Sequence, residues 1–266
     1  MSEEMSNNTL AFPEKKISQP KVYGAWATIG MGTAIGLIAL IAVPLLVICG
    51  FMLVALLNGQ NVTNDSLMMT LTTIATGLSG LPLIYLIIRL NGNSGITEYL
   101  RLRRLTWKLV FLALASFIII FVSVIGISVV HDYLIGPFGD ATSPGLGDSV
   151  TSGFGWLLVL LATVVFAPIF EETFFRGFLF AGLRRSRLGV VGTIIITSLI
   201  WALAHQQYDW FGMVKIGLMG VILGVTYYKT DSLWCPIIVH AMWNGMVILV
   251  SVPWSSVFVE LVKFCI

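Results

Sequence analysis

Seven long apolar runs, separated by short polar gaps, organise this chain. They cover roughly residues 25–57, 67–89, 107–130, 153–183, 189–206, 211–228 and 232–252. A helix needs about 20 predominantly apolar residues to cross the hydrocarbon core of a bilayer. The pattern therefore predicts an all-α, polytopic membrane bundle of about seven transmembrane helices, six to eight at the limits. The first and fourth runs are long enough to tilt or bend, with Pro44 and Pro168 as natural kink points. Residues 1–24 are polar and read as a disordered tail, too long and too acidic for the leading part of a signal peptide. The segment 253–266 is too short to span simply and leaves a partial eighth helix open.

Charge sharpens the topology. Lys15, Lys16 and Lys21 precede the first run; Arg89, Arg101, Arg103, Arg104 and Lys108 fall between the second and third; Arg184, Arg185 and Arg187 follow the fourth; Lys229 follows the sixth. The gaps 58–66, 131–152 and 207–210 hold no Lys or Arg, and the second of them carries Asp132, Asp140 and Asp148. Positive loops stay cytoplasmic, so the N-terminus is expected inside and the C-terminus outside, in the plasma membrane of a bacterium. Composition agrees: 57 % of residues are hydrophobic and 11 % charged, against about 25 % charged in a soluble domain. The net charge of +2 gives no reason to invoke nucleic acid. Cys49, Cys235 and Cys265 have no metal or redox spacing.

Against this background the polar residues inside the runs stand out, because such residues at depth are costly and usually functional. "FEETFFRG" places Glu171, Glu172 and Arg176 in the fourth run; "WALAH" places Trp201 and His205 in the fifth; "HAMWN" places His240 and Asn244 in the seventh. Counting about 1.5 Å per residue from the inner helix ends puts Glu171, His205, His240 and Asn244 at roughly 20, 24, 15 and 21 Å. A shared polar pocket between helices follows. Glu172 and Arg176 are four apart with the acid first, the favourable order for an ion pair, and read as structural support. His240 and Asn244, also four apart, can point at one spot. Glu171 lies about 100° around the helix from Glu172 and so faces the pocket, with no arginine in its own motif.

These three motifs, in this order and each on an apolar helix, resemble the CPBP family, the CAAX-processing and bacteriocin-processing intramembrane proteases also called Abi proteins. The resemblance covers about 153–250 and includes "PIFEETFFRGFLF". One departure is Trp201, where the family usually has Phe; a larger ring reshapes the space beside His205. The resemblance implies a metal-independent glutamic endopeptidase with a four-helix catalytic core at 153–252, preceded by three accessory helices at 25–130. It implies that Glu171 and His205 activate water, that His240 and Asn244 stabilise the oxyanion, and that Glu172, Arg176 and Trp201 support the site. No cofactor is expected. The substrate is then a peptide or protein reached within or at the membrane. Nothing in the sequence speaks to oligomeric state.

Plainer readings compete. Glu171 paired with His205 would be a structural contact, and His240 with Asn244 could be interhelical glue. Two histidines and a glutamate can also hold zinc with an open position, although no HExxH occurs. A non-catalytic regulator or scaffold of other membrane proteins could keep the same polar core. A transporter is disfavoured by the lack of an inverted repeat. His131 beside Asp132 reads as interfacial, Lys215 as a snorkelling side chain, and Trp210, Trp234 and Trp254 as interface anchors. Gly30, Gly32 and Gly36, with Gly217, Gly220 and Gly224, read as close-packing faces.

Overall fold

In the computed structural model, residues 20–58, 65–92, 95–136 and 153–251 are described. Every apolar run among them is helical. The elements are α1 (Ala25–Leu57), α2 (Asp65–Leu90), the one-turn α3 (Ile96–Tyr99), α4 (Trp107–Leu134), α5 (Gly155–Leu183), α6 (Gly189–Leu203), α7 (Trp210–Thr230) and α8 (Trp234–Ser251). Five of these are long and apolar enough to cross a bilayer, and α6 and α8 are shorter apolar helices. The chain is a polytopic helical membrane bundle. The outermost tail residues 1–19, the segment 253–266 and Trp254 lie outside the described residues. Residues 20–24 do not hang free: the Tyr23 hydroxyl donates to Ile87 O at 2.9 Å, and Asn91 Nδ2 donates to Lys21 O at 3.0 Å.

The centre of the bundle is the C-terminal half of α5. From Glu172 to Leu183 every residue is buried, including Phe174, Phe175, Phe178 and Phe180. A helix apolar all round belongs in the middle. α7 packs on α6 and α4, α8 on α4 and α5, and α1 and α2 on each other and on α5. Large apolar side chains such as Leu57, Phe111, Val122 and Val129 cover the exterior, as a lipid-facing surface requires.

Both expected kink points fall beside a wide, π-type turn, at Leu37–Ala42 and Leu161–Phe166. The cause is local. Proline has no N–H and its ring crowds the carbonyl four residues back; those carbonyls belong to Leu40 and Val164, inside the widened turns. The glycines divide unequally. On α7, an added Cβ at Gly220 would lie 3.0 Å from the Ser198 and Trp201 side chains, and one at Gly224 3.1 Å from Ile194. On α1 only Gly32 is closely packed, against Leu179; Gly30 and Gly36 face open space, so the proposed α1 glycine face reduces to one residue.

Candidate active site

α5 presents the two adjacent carboxylates between two wide turns, Leu161–Phe166 before them and Thr173–Leu179 after. Such turns concentrate at functional sites. Glu172 points inward. Its Oε1 accepts from Arg176 Nη1 at 2.8 Å and from His240 Nδ1 at 3.0 Å, and both side chains of the ion pair are fully buried. Arg176 Nη2 donates to Gly220 O at 3.0 Å, tying α5 to α7. The expected structural pair thus exists, and it has a third member, His240, that spacing within one motif could not reveal.

Glu171 turns to a different neighbour. It is half-buried, and its Oε2 accepts from Trp201 Nε1 at 2.5 Å. Trp201 is the hub of the cluster. The Arg176 guanidinium sits 4.9 Å from its ring centroid, and His205 and His240 meet it edge-on at 5.1 and 5.2 Å. Phe at this position could stack in the same way but could not donate to Glu171. The departure from the family pattern therefore adds a hydrogen bond as well as bulk.

His205 lies just beyond α6, not within it. The helix ends at Leu203 because the His205 N–H turns back to Ala202 O (3.0 Å) rather than to Trp201 O. The orphaned Trp201 carbonyl is then met by His205 Nδ1 at 2.7 Å, a side-chain cap of a helix C-terminus. A carbonyl can only accept, so Nδ1 carries a proton, and Nε2 is left for other work. A 15-residue helix is about 22 Å long, short of a ~30 Å hydrocarbon core. The turn 204–209 that follows carries exposed Gln206 and Gln207.

Asn244 has a traceable partner too. Ala167 N–H reaches five residues back to Ala162 O, so it no longer serves Thr163 O, and the next residue in that register is Pro168. Asn244 Nδ2 fills the gap, donating to Thr163 O at 2.8 Å. One amide hydrogen of Asn244 is committed and the second is left for another acceptor.

Glu171, His205 and His240 thus each contact Trp201, while Asn244, one turn beyond His240 on α8, bonds to Thr163 on α5. Glu171, His205 and Asn244 are partly exposed, while Glu172, Arg176, Trp201 and His240 are buried. Among the described residues no three His, Cys, Asp or Glu side chains lie close enough together to hold a metal ion, so no step is derived through zinc. His131, near the end of α4, stacks on Phe211 at 4.1 Å with Nδ1 3.4 Å from Asp132. Lys215 lies 4.9 Å over the Phe211 ring. Sequence reasoning did not find the Trp201 N–H donation, nor the carbonyls of Gly220 and Thr163, because backbone acceptors leave no mark on composition.

Fold and site define a multi-pass membrane protein with a glutamate–histidine cluster in its core. Residues 153–246 match the profile of type II CAAX prenyl endopeptidases, Rce1-like, and in this segment the chain is similar to the family whose motifs it carries. It is 32 % identical over 142 residues to the membrane-embedded CAAX protease MroQ of Staphylococcus aureus, covering 52 % of this chain and 56 % of that protein. It is 34 % identical over 91 residues to an uncharacterized 24.3 kDa protein of Escherichia coli, covering 32 % of this chain and 40 % of that one. It is 28 % identical over 96 residues to YdiL, a candidate membrane peptidase of Bacillus subtilis, covering 36 % and 37 %. The matches thus span about half or less of these relatives. No solved structure matches significantly.

Proposed function

We propose that this protein is a membrane-embedded endopeptidase that hydrolyses a peptide bond with water activated by Glu171 and His205. The observation that carries the reading is the division of labour between the carboxylates. Glu172 is fully buried, its Oε1 bonded by Arg176 and His240 and its Oε2 sealed from solvent without a partner among the described residues, whereas Glu171 is half-buried and accepts from a neutral donor, Trp201. A carboxylate so held keeps acceptor capacity for a water proton. The polar turn beside His205 offers that water a route.

In the reaction, Glu171 takes a proton from water while His205 Nε2 orients it. The water oxygen bonds to the carbonyl carbon and the carbonyl π pair becomes the oxyanion. On collapse the C–N bond breaks and the proton held by Glu171 passes to the leaving amine. The free amide hydrogen of Asn244 and Nε2–H of His240 serve the oxyanion. Because His240 Nδ1 faces a carboxylate, donation through Nε2 requires both ring nitrogens to be protonated, with Glu172 as counter-ion.

The substrate is a peptide or protein met at the membrane, and the protein is expected in a bacterial plasma membrane with its N-terminus inside. Comparative proteomics of secreted and membrane peptides from cells carrying wild-type or Glu171→Ala protein tests the reading. Peptides lost in the variant identify substrates. An unchanged profile, with full complementation of a deletion strain by the variant, would replace it with the regulator reading.

A further inference from the structure

At the far end of α5 from the carboxylates, about 20 Å away along the helix, lies a cavity of 540 Å³. That size is within the ~300–1,000 Å³ of small-ligand sites. Three charged segments distant in sequence meet there, beside Pro20 and Val22. Arg101, Arg103 and Arg104 come from the stretch after α3, Arg184 and Arg185 from the end of α5, and Asp231 from the α7–α8 turn. Exposed arginines on a cytoplasmic face follow from topology alone, but topology does not require them to converge on one concavity.

The walls are built for that convergence. Arg101 and Asp231 are the two non-glycine residues with left-handed backbone among those described, at φ 56° and 50°, a conformation disfavoured for side chains with a Cβ. They are joined by an ion pair that Arg103 shares, and Leu233 N–H bonds Arg101 O at 3.1 Å. One carboxylate therefore answers two of the five guanidinium groups. Arg104, Arg184 and Arg185 have no ion pair among the described residues. The other lining acid, Glu98, is engaged by the Thr97 hydroxyl. Tyr99 also lines the cavity; it is 2 % exposed, and its hydroxyl has no hydrogen-bond partner among the described residues. Burial and the neighbouring guanidinium groups of Arg184, Arg103 and Arg185 hold Arg101 below the ordinary arginine range, against a pull upward from Tyr227. An anion in the cavity would relieve this crowding.

We propose that this cavity binds a phosphate-bearing anion at the membrane surface, gripped by Arg104, Arg184 and Arg185. Guanidinium groups match phosphate oxygens in geometry and charge, and basic pockets between membrane helices on the cytoplasmic side suit lipid headgroups. The site is independent of the peptidase chemistry.

The test is native mass spectrometry of the purified full chain titrated with phosphatidylglycerol, phosphatidylcholine and inorganic phosphate. Wild type should bind one phosphatidylglycerol at least tenfold more tightly than phosphatidylcholine. Arg184→Gln with Arg185→Gln, and separately the exposed Arg104→Gln, should reduce that preference at least fivefold, while Lys108→Gln, a basic residue outside the cavity, should keep it. Saturable binding of inorganic phosphate that only the cavity variants lose would support the site with soluble phosphate as its ligand. No preference in wild type for either anion, or equal loss in Lys108→Gln, would overturn the proposal. Arg104→Gln keeps the test open if the double variant fails to fold.

Discussion

Trp201 donates its indole N–H to Glu171 Oε2 at 2.5 Å, so the side chain on α6 that carries His205 at its back also fixes the carboxylate on α5. Trp201→Phe removes this donor and keeps a ring. A hydrogen bond to a charged group is worth about 1.5–3 kcal/mol, so peptidase kcat should fall by roughly 10- to 150-fold at 1.4 kcal/mol per decade, with KM little changed. A Trp201→Phe protein with wild-type kcat would show that the indole N–H does not position Glu171.

Glu172 answers both Arg176 and His240. Glu172→Gln leaves buried Arg176 without a counter-charge, and breaking a buried pair costs about 3–5 kcal/mol. Thermal unfolding in detergent should show a lowered Tm or little recoverable protein. Adding Arg176→Met should restore part of the loss; if the double variant is less stable than the single, the pair is not what holds this region.

Asn244 and Pro168 should be coupled although their side chains differ in kind. Asn244→Ala strands the Thr163 carbonyl, at about 1–3 kcal/mol for an unmet buried group. Pro168→Ala returns an N–H to the same register. In a double-mutant cycle by thermal unfolding, Asn244→Ala should cost less in the Pro168→Ala background. Strict additivity would contradict the assignment.

Glycine packing separates by position. Gly220→Ala puts a methyl 3.0 Å from Trp201 and Ser198, whereas Gly36→Ala meets nothing within 4 Å. Over-packing costs typically about 1–3 kcal/mol, so Gly220→Ala should lower Tm and Gly36→Ala should leave it unchanged or raised.

Much of this was legible in the sequence, for identifiable reasons. Helix number followed from apolar run length, and the Glu172–Arg176 pair from i, i+4 spacing, because both depend on residues close in the chain. Similar depth makes the contacts of Glu171, His205 and His240 with Trp201 possible, whereas Asn244 bonds Thr163. What escaped notice depends on backbone register. His205 was expected inside a helix, yet it caps one, since apolar periodicity does not record which carbonyl a given N–H chooses. For Asn244 the plainer reading, a bond between helices, has a partner in Thr163 O, and that partner could not be named because it arises only from the widened turn ahead of Pro168. The convergence of five arginines on one cavity was hidden because they lie in two segments about 80 residues apart.

The two glutamates carry the central claim, and one paired measurement tests it: membrane abundance, Tm and substrate-peptide yield for Glu171→Gln and Glu172→Gln side by side. Glu171→Gln should accumulate at the wild-type level with wild-type Tm and lose product by the ~10²–10⁴-fold typical of a missing general base, while Glu172→Gln should lose the folded protein itself. A stable, fully folded Glu172→Gln protein without activity, beside a Glu171→Gln protein that still releases product, would contradict the account.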